Sequence, residues 1–174
     1  MQVYSYFEAE MQPQLRATLE DLQQLPQLAT QPDPLQQQQQ QQQDPQQQQQ
    51  HGVLILDTRN KQQYMGHVRR GPRGGHIPGA VSLPRAELLE QETELFKPLQ
   101  QQKQLLQQAG VVLPGGSSAA AADSQQHVVL YCNGGVAACT AALALHRLGH
   151  RNWAVYDGSW NEYSNTQLPV AMPQ

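Results

Sequence analysis

One cysteine in this sequence lies where a thiol can act as a nucleophile. Cys132 follows the apolar run His127–Tyr131 and precedes a long run rich in Ala and Leu. The first run predicts a buried strand and the second a helix, with Asn133-Gly134-Gly135 as the sharp turn between them. A sulfur at this junction lies over the amino end of a helix, where backbone N–H groups and the helix dipole favour an anion. We therefore expect Cys132 to ionise readily and to react as a thiolate.

The elements around Cys132 indicate an α/β fold. Apolar, β-branched runs alternate with helical patterns, which is typical of a mainly parallel sheet. Ligands bind beyond the carboxyl ends of the strands in such sheets, and Asp57, Cys132 and Asp157 each follow a predicted strand. The predicted strands are Val53–Leu56, Ala80–Leu83, His127–Tyr131 and Asn152–Tyr156. The predicted helices are Arg16–Leu25, Asn60–Met65, Leu95–Gly110, Val136–Leu148 and a short one near Asn161–Ser164, with one helical turn at Arg85–Leu89.

Two of these helices carry end signals. Thr18 and Asp21 approximate a capping box, which starts the first helix. Pro98 suits the first turn of the third helix and Gly110 suits its end. The apolar side of that third helix is expected to comprise Leu99, Leu105, Leu106 and Ala109.

The chain divides by composition into a lead-in, an insertion and a main domain. Residues 1–30 hold the first helix, and residues 31–51 are dominated by glutamine. A glutamine tract buries too little apolar surface to offset its chain entropy, so we expect a disordered or transiently helical insertion. Residues 52–174 then form the main domain, with the Gly/Ser/Ala-rich stretch 113–126 as a flexible loop.

Composition also narrows the partners and the compartment. The formal net charge is −3 and 14% of the residues are charged, so there is no basic field for nucleic acid. No apolar run approaches the ~18 residues that span a membrane. The 2 cysteines are too few for a disulfide framework, which favours a reducing compartment. We expect the cytosol, or the mitochondrion if Met1 is not the native start.

Four short motifs lie at the ends of predicted strands or in the turns between them. They are Leu56-Asp57-Thr58-Arg59, Gly75-His76-Ile77-Pro78-Gly79-Ala80, the loop that starts at Cys132, and Tyr156-Asp157-Gly158-Ser159-Trp160. Together and in this order they resemble the rhodanese (sulfurtransferase) family, and more narrowly the carboxyl-terminal catalytic domain of the two-domain thiosulfate and 3-mercaptopyruvate sulfurtransferases. The resemblance covers nearly the whole chain apart from the glutamine tract. It implies a rhodanese-like open, mainly parallel five-stranded sheet flanked by helices on both faces.

The resemblance also implies a reaction. Cys132 would attack the sulfane sulfur of thiosulfate or 3-mercaptopyruvate and become a persulfide, from which a thiol or cyanide removes the sulfur. The acceptor would be a small thiol or a thioredoxin-like protein, and no metal or organic cofactor is implied. The active loop would run from Cys132 to Ala137, and we expect the substrate to contact its residues Asn133, Gly134, Gly135, Val136 and Ala137.

Charged and polar residues outside the loop complete the expected site. Asp57 and Arg59 are expected to support the loop as a structural ion pair. His76 is expected to order the Gly75–Gly79 turn, in which it lies, by hydrogen bonding. Asp157, Ser159 and Trp160 are expected to support or line the pocket. In the two-domain animal enzymes that this chain resembles, a substrate-binding arginine stands at the position of Gln63. The donor's carboxylate or sulfonate would then need another arginine, and Arg69, Arg70 and Arg73 are the candidates.

Three other functions use similar residues. A cysteine-type phosphatase needs an arginine six residues after its cysteine, where this chain has Ala138, and usually a histidine before it, where this chain has Tyr131. A redox pair of Cys132 and Cys139 is disfavoured because a helix separates the two beyond disulfide reach, and Cys139 is expected to be a small buried hydrophobe. A non-catalytic sulfur carrier or interaction module remains open, because fold does not guarantee activity.

Overall fold

The computed structural model describes residues 12–25, 52–114 and 126–172. The predicted glutamine insertion and most of the predicted flexible loop lie outside the described residues. Within the described residues, five strands form one sheet in the order β1-β5-β4-β2-β3, and every pairing is parallel. The strands are β1 Arg16–Ala17, β2 Val53–Asp57, β3 Ala80–Ser82, β4 His127–Tyr131 and β5 Trp153–Tyr156. The predicted α/β fold with a mainly parallel sheet is therefore confirmed.

The helices lie near the predicted positions. They are α1 Leu19–Gln23, α2 Lys61–Tyr64, α3 Leu99–Gln108, α4 Val136–Arg147 and α5 Ser159–Tyr163, with 3₁₀ turns at Pro13–Leu15 and Arg85–Leu88. The core divides into two buried clusters, one containing residues of α3 and α4 and the other residues of α1 and α5. Helices thus cover the sheet from both sides, as expected for this fold.

The first helix begins later than predicted. Thr18 and Asp21 form the expected capping box, but Arg16 and Ala17 are extended and pair with Val155 and Tyr156 of β5. Because an N-cap residue has an extended backbone, the helix cannot include the residues before Thr18. The prediction of a helix from Arg16 was therefore wrong for its first two residues, which form an edge strand instead.

The long third helix differs from its prediction in two respects. Because Phe96 pairs with Leu89 in an antiparallel bridge, the helix does not start at Leu95 as predicted. It begins at Leu99 after Pro98, and Gly110 beyond its end has a positive φ of 91°, as a helix-terminating glycine does. Leu106 is fully buried, whereas Leu99 is 45% exposed and does not belong to the apolar side. Gln102 is buried in the same helix, where its amide nitrogen donates to the Lys97 carbonyl and its amide oxygen has no hydrogen-bond partner among the described residues.

No helix within residues 12–25, 52–114 and 126–172 combines the length and apolar character needed to cross a bilayer.

Candidate active site around Cys132

Cys132 follows directly after β4, the strand at the middle of the sheet. The side chain is nearly buried, with 3% of the residue's surface exposed. Its carbonyl oxygen accepts the backbone N–H of Trp160 at 3.0 Å, and the Asn133 carbonyl accepts the N–H of Asn161 at 2.9 Å. The loop that starts at Cys132 therefore rests against the beginning of α5, the short helix after β5.

Ser159 holds the two ends of the turn together. Its hydroxyl oxygen accepts the N–H of Cys132 at 3.2 Å and the N–H of Gly135 at 3.0 Å. The same hydroxyl donates to the Tyr156 carbonyl at 2.7 Å. Ser159 is fully buried and has a left-handed φ of 53°, an uncommon conformation for a serine. Its hydroxyl thus binds the active loop through two backbone N–H groups. The sequence led us to expect that Ser159 supports or lines the pocket.

Gly135 is a position that only glycine fits without strain. Its φ is 81°, and a Cβ there would lie 3.2 Å from the carbonyl oxygen and 3.3 Å from the Cα of Asp157. Both contacts are to backbone atoms, which cannot move aside as a side chain does. The close approach of the loop to residue 157 thus requires the missing side chain.

The other N–H groups of this turn are free to face an anion. The amides of Cys132 and Gly135 are used by Ser159. Within the described residues, the amides that follow each of them form no hydrogen bond; these are Asn133, Gly134, Val136, Ala137 and Ala138. The last three begin α4, whose dipole adds to the attraction. Such a cluster of N–H donors next to a sulfur stabilises a thiolate or a persulfide anion.

Asp57 and Arg59 form the predicted ion pair at the carboxyl end of β2. Arg59 Nη2 lies 2.6 Å from Asp57 Oδ2, and both side chains are almost completely buried. The guanidinium also donates to the Gly75 carbonyl at 2.7 Å and lies 4.3 Å from the centre of the Trp160 ring. Within the described residues, however, neither side chain forms a hydrogen bond to the loop from Cys132 to Ala137.

Tyr131 connects that ion pair to the cysteine, and the sequence analysis did not select it as a site residue. Its hydroxyl donates to Asp57 Oδ2 at 2.6 Å and accepts the N–H of Ile77 at 3.1 Å. Burial, with the adjacent Asp57 carboxylate, raises the pKa of the Tyr131 phenol well above its ordinary value. A buried tyrosine hydroxyl needs a hydrogen-bond partner. The sequence signal for that partner is Asp57, which ends the neighbouring strand.

His76 orders the turn after the arginine-rich loop, as predicted. Its ring stacks on Tyr64 with centroids 3.8 Å apart, and Nδ1 donates to the Tyr64 carbonyl at 3.0 Å. The His76 backbone also pairs with Ala171 in an antiparallel bridge. Burial lowers the pKa of His76, although the hydrogen bond to Tyr64 and the charge of Asp57 oppose this effect.

Arg73, a candidate for binding the donor, is engaged by the backbone of its own chain. Its guanidinium donates to the carbonyls of Tyr163, Ser164 and Leu168 at 2.9, 3.1 and 2.7 Å. These contacts use Nε, Nη1 and Nη2 together, so the side chain fixes the segment after α5. Because backbone carbonyls carry no residue-specific signal, this partner could not be identified from sequence.

Two further expectations also change. The Asp157 side chain is exposed and pairs with Arg16 at 2.6 Å, while its backbone, and not its carboxylate, lies against Gly135. Cys139 is exposed and not buried, because it lies on the outward face of α4; its thiol donates to the Gly135 carbonyl at 3.4 Å. Both cysteines are free thiols.

Gln63 lies directly against the active loop. The side chain is buried, and its carbonyl oxygen accepts an N–H from the Asn133 side chain at 3.3 Å. Asn60 caps the short helix α2 that carries it, accepting the Gln63 backbone N–H. The rim of the loop on this side is therefore neutral.

Within the described parts of the chain, no three or more His, Cys, Asp and Glu side chains are grouped closely enough to hold a metal ion.

Comparison with known proteins agrees with this arrangement. Residues 34–166 match the family model described as "Rhodanese-like domain". The chain is 30% identical over 119 residues to thiosulfate/3-mercaptopyruvate sulfurtransferase 1, mitochondrial, from Arabidopsis thaliana, an alignment that covers 66% of this chain and 28% of that protein. It is 32% identical over 120 residues to 3-mercaptopyruvate sulfurtransferase from Escherichia coli strain K12, covering 67% of this chain and 38% of that protein.

One solved structure illustrates the likeness in fold. The Tum1 protein from Saccharomyces cerevisiae superimposes with a TM-score of 0.63 at 22% identity, covering 91% of this chain and 47% of that one. The alignments thus span 28% and 38% of the two curated relatives and about half of the yeast structure.

Proposed function

Because the chain belongs to the rhodanese-like domain family, we propose that it is a sulfurtransferase in which Cys132 carries the transferred sulfur. The observation that supports this most is the set of free backbone N–H groups around the start of α4. They follow a cysteine whose own amide is fixed by Ser159. A site of this kind stabilises a negative sulfur without a metal or a basic side chain.

The proposed reaction has two steps. The Cys132 thiolate attacks the outer sulfur of thiosulfate or the thiol sulfur of 3-mercaptopyruvate, forming a new S–S bond. With thiosulfate, the old S–S bond breaks and its electron pair leaves on sulfite. With 3-mercaptopyruvate, the C–S bond breaks and the carbon takes the electron pair and a proton to give pyruvate. An acceptor thiolate or cyanide then attacks the outer sulfur of the persulfide and releases the Cys132 thiolate, which makes the kinetics ping-pong.

The choice of donor and acceptor is part of the proposal. Thiosulfate and 3-mercaptopyruvate are the donors named for the relatives. We propose a small thiol or a thioredoxin-like protein as the acceptor, and a reducing compartment, the cytosol or the mitochondrion, as the setting. The loop from Cys132 to Ala137 contains no charged residue. Selection of one anionic donor over another must therefore depend on groups outside that loop.

The test compares three proteins: the natural chain, Cys132→Ser and Cys139→Ser. Each is incubated with thiosulfate or with 3-mercaptopyruvate and then with cyanide or a thiol, and the product is measured. We expect turnover in the natural chain and in Cys139→Ser, and none in Cys132→Ser. Turnover that survives in Cys132→Ser would refute the mechanism.

Mass spectrometry separates this proposal from a non-catalytic sulfur carrier. After donor treatment alone, the natural chain and Cys139→Ser should each gain one sulfur atom, located on the peptide that contains Cys132. A stable persulfide that no acceptor discharges would indicate a carrier. Absence of both the added sulfur and the turnover would indicate an interaction module.

A further inference from the structure

The phenol of Tyr131 links three parts of the chain at one point. The residue lies directly before Cys132 at the end of β4 and is fully buried. Its hydroxyl donates to the Asp57 carboxylate of β2 and accepts the N–H of Ile77, in the turn before β3. Three elements that are distant in sequence therefore meet at the side chain of the residue next to the nucleophile.

The backbone of Tyr131 is also held from the side of β2. Its carbonyl oxygen accepts two hydrogen bonds from Thr58, one from the N–H and one from the hydroxyl, both at 2.9 Å. The peptide group that this carbonyl belongs to also contains the N–H of Cys132, which Ser159 binds from the other side. The peptide plane that leads into Cys132 is thus fixed at both ends.

The buried ion pair of Asp57 and Arg59 reaches the cysteine only indirectly among the described residues. It forms no hydrogen bond to the active loop. Its hydrogen-bonded connection to the strand of the cysteine is the Tyr131 hydroxyl. The Arg59 guanidinium also lies over the rings of Tyr131 and Trp160 and donates to the Gly75 carbonyl. Without the hydroxyl, the ion pair would lose its hydrogen bond to β4.

We propose that Tyr131 is a positioning residue for the reaction, which holds the Cys132 sulfur where the free amides at the start of α4 meet it. This inference rests on the proposed function, because it assigns the sulfur of Cys132 a reactive role. The hydroxyl acts through its hydrogen bonds to Asp57 and Ile77 and does not touch the reacting atoms.

The test compares Tyr131→Phe with Tyr163→Phe. Tyr163 is also fully buried, and its hydroxyl donates a single hydrogen bond, to the Pro169 carbonyl at 2.7 Å. The measurement is the single-turnover rate at which Cys132 gains sulfur from a saturating donor, together with the donor KM. The substitution removes both hydrogen bonds of the hydroxyl, to Asp57 and from Ile77, and we expect the lost positioning to slow that rate about tenfold in Tyr131→Phe, with KM unchanged. Tyr163→Phe should lose thermal stability, because one buried hydrogen bond is removed, and keep its rate.

Equal rates in the two variants would overturn the inference, because a purely structural hydroxyl would affect stability alone. Thr58→Val provides a second route if Tyr131→Phe does not fold. It removes only the hydroxyl donor to the Tyr131 carbonyl and keeps the backbone donor, so we expect a smaller slowing in the same direction. An unchanged rate in Thr58→Val would also count against the inference.

An additional measurement separates this inference from the proposed function. Alkylation of Cys132 by iodoacetamide, followed in the Cys139→Ser background, needs no sulfur donor. If the natural chain forms no persulfide, the proposed function fails. If the persulfide forms but Tyr131→Phe changes neither alkylation nor sulfur uptake, only the positioning role fails.

Discussion

The hydroxyl oxygen of Ser159 lies 3.2 Å from the backbone nitrogen of Cys132 and accepts its hydrogen bond. The same oxygen accepts the N–H of Gly135, so one side chain fixes both ends of the sharp turn. Ser159 occupies these two amides, and the amides that follow each of them form no hydrogen bond among the described residues. Ser159 therefore determines which N–H groups of the loop are structural and which are available for chemistry.

Ser159→Ala should reduce both stability and sulfur transfer. The substitution leaves the buried amides of Cys132 and Gly135 without an acceptor, which costs about 1–3 kcal/mol in the free energy of unfolding. The loop should also lose its fixed shape, so we expect kcat for sulfur transfer to fall by at least about tenfold, the equivalent of 1.4 kcal/mol. Urea unfolding and steady-state kinetics measure the two effects.

Ser82→Ala is the matched control for this change. The Ser82 hydroxyl is buried and has no hydrogen-bond partner among the described residues, so its removal leaves none of them unsatisfied. The free energy of unfolding of Ser82→Ala should therefore change little or increase. Equal losses in Ser82→Ala and Ser159→Ala would show that the hydrogen bonds to the loop are not the reason for the effect.

Gly135→Ala should destabilise the loop through its backbone. A methyl group there meets backbone atoms of Asp157 at 3.2 and 3.3 Å, and the φ of 81° is unfavourable for alanine. We expect a loss of about 1–3 kcal/mol in the free energy of unfolding, the usual size for a residue held in such a conformation. Gly52→Ala is the control, since a Cβ at Gly52 meets nothing within 4 Å. A loss at Gly52 as large as that at Gly135 would contradict this explanation.

The core of the site was predictable because it obeys local rules. Cys132 follows an apolar run and precedes a glycine-containing turn, which identifies a strand, loop and helix in one stretch of sequence. Asp57 and Arg59 belong to one of the motifs that carry the family resemblance, and they were predicted as a structural ion pair that supports the loop. The structure confirms both the elements and the ion pair.

The remaining contacts depend on geometry that no local pattern encodes. The Ser159 hydroxyl reaches two amides from a backbone with a φ of 53°, which a serine seldom adopts. Arg73 binds carbonyls that lie 90 to 95 residues further along the chain, and all carbonyls look alike in sequence. Cys139 was expected to be buried because its helix is apolar, but the apolar residues on the outward face of that helix include Val136 and Leu143, which are also exposed.

Arg73→Ala should affect stability more than catalysis. The guanidinium holds three carbonyls of the segment after α5, and hydrogen bonds to a charged group contribute about 1.5–3 kcal/mol each before the other losses are counted. We therefore expect a clearly lower unfolding midpoint with an unchanged KM for thiosulfate or 3-mercaptopyruvate. Arg70→Ala, at an exposed position in the same loop, is the control for stability and should leave the unfolding midpoint unchanged. A selective rise in KM for Arg73→Ala would restore the substrate-binding role expected from sequence.

Stability should fall as the solution becomes acidic. Burial lowers the pKa of both His76 and His150 from the ordinary value of 6.5. Below pH 6.5 the unfolded chain binds protons that the folded chain still excludes, so folding is progressively disfavoured until the pH passes through the lower folded pKa. The free energy of unfolding that depends on keeping both histidines neutral is therefore complete above pH 6.5 and is lost progressively below it. Urea midpoints between pH 7.5 and 5 should decline, and the decline should be shallower in His76→Gln and His150→Gln.

His67→Gln is the control for the acid response, because His67 is exposed. Its urea midpoints should follow those of the natural chain at every pH. A slope that stays the same in both buried-histidine variants would mean that other groups are responsible for the acid response.

Two ion pairs of equal length allow the effect of burial to be measured directly. Arg59 and Asp57 approach to 2.6 Å with almost no exposure, and Arg16 and Asp157 approach to 2.6 Å with side chains 65% and 50% exposed. Arg59→Met leaves the Asp57 charge buried without its partner, which should cost about 3–5 kcal/mol in the free energy of unfolding. Arg16→Met should cost about 0–1 kcal/mol, because solvent screens an exposed pair.

The double variant Asp57→Asn with Arg59→Met identifies the cause of that loss. If the cost in Arg59→Met comes from an uncompensated buried carboxylate, neutralising Asp57 should recover part of it. The carboxamide that replaces the Asp57 carboxylate can still accept the hydrogen bond from the Tyr131 hydroxyl, so the link to β4 remains. If the double variant is instead less stable than the natural chain by the full sum of the losses in Asp57→Asn and Arg59→Met, the loss in Arg59→Met arises from the guanidinium contacts with Gly75 and Trp160 and not from charge.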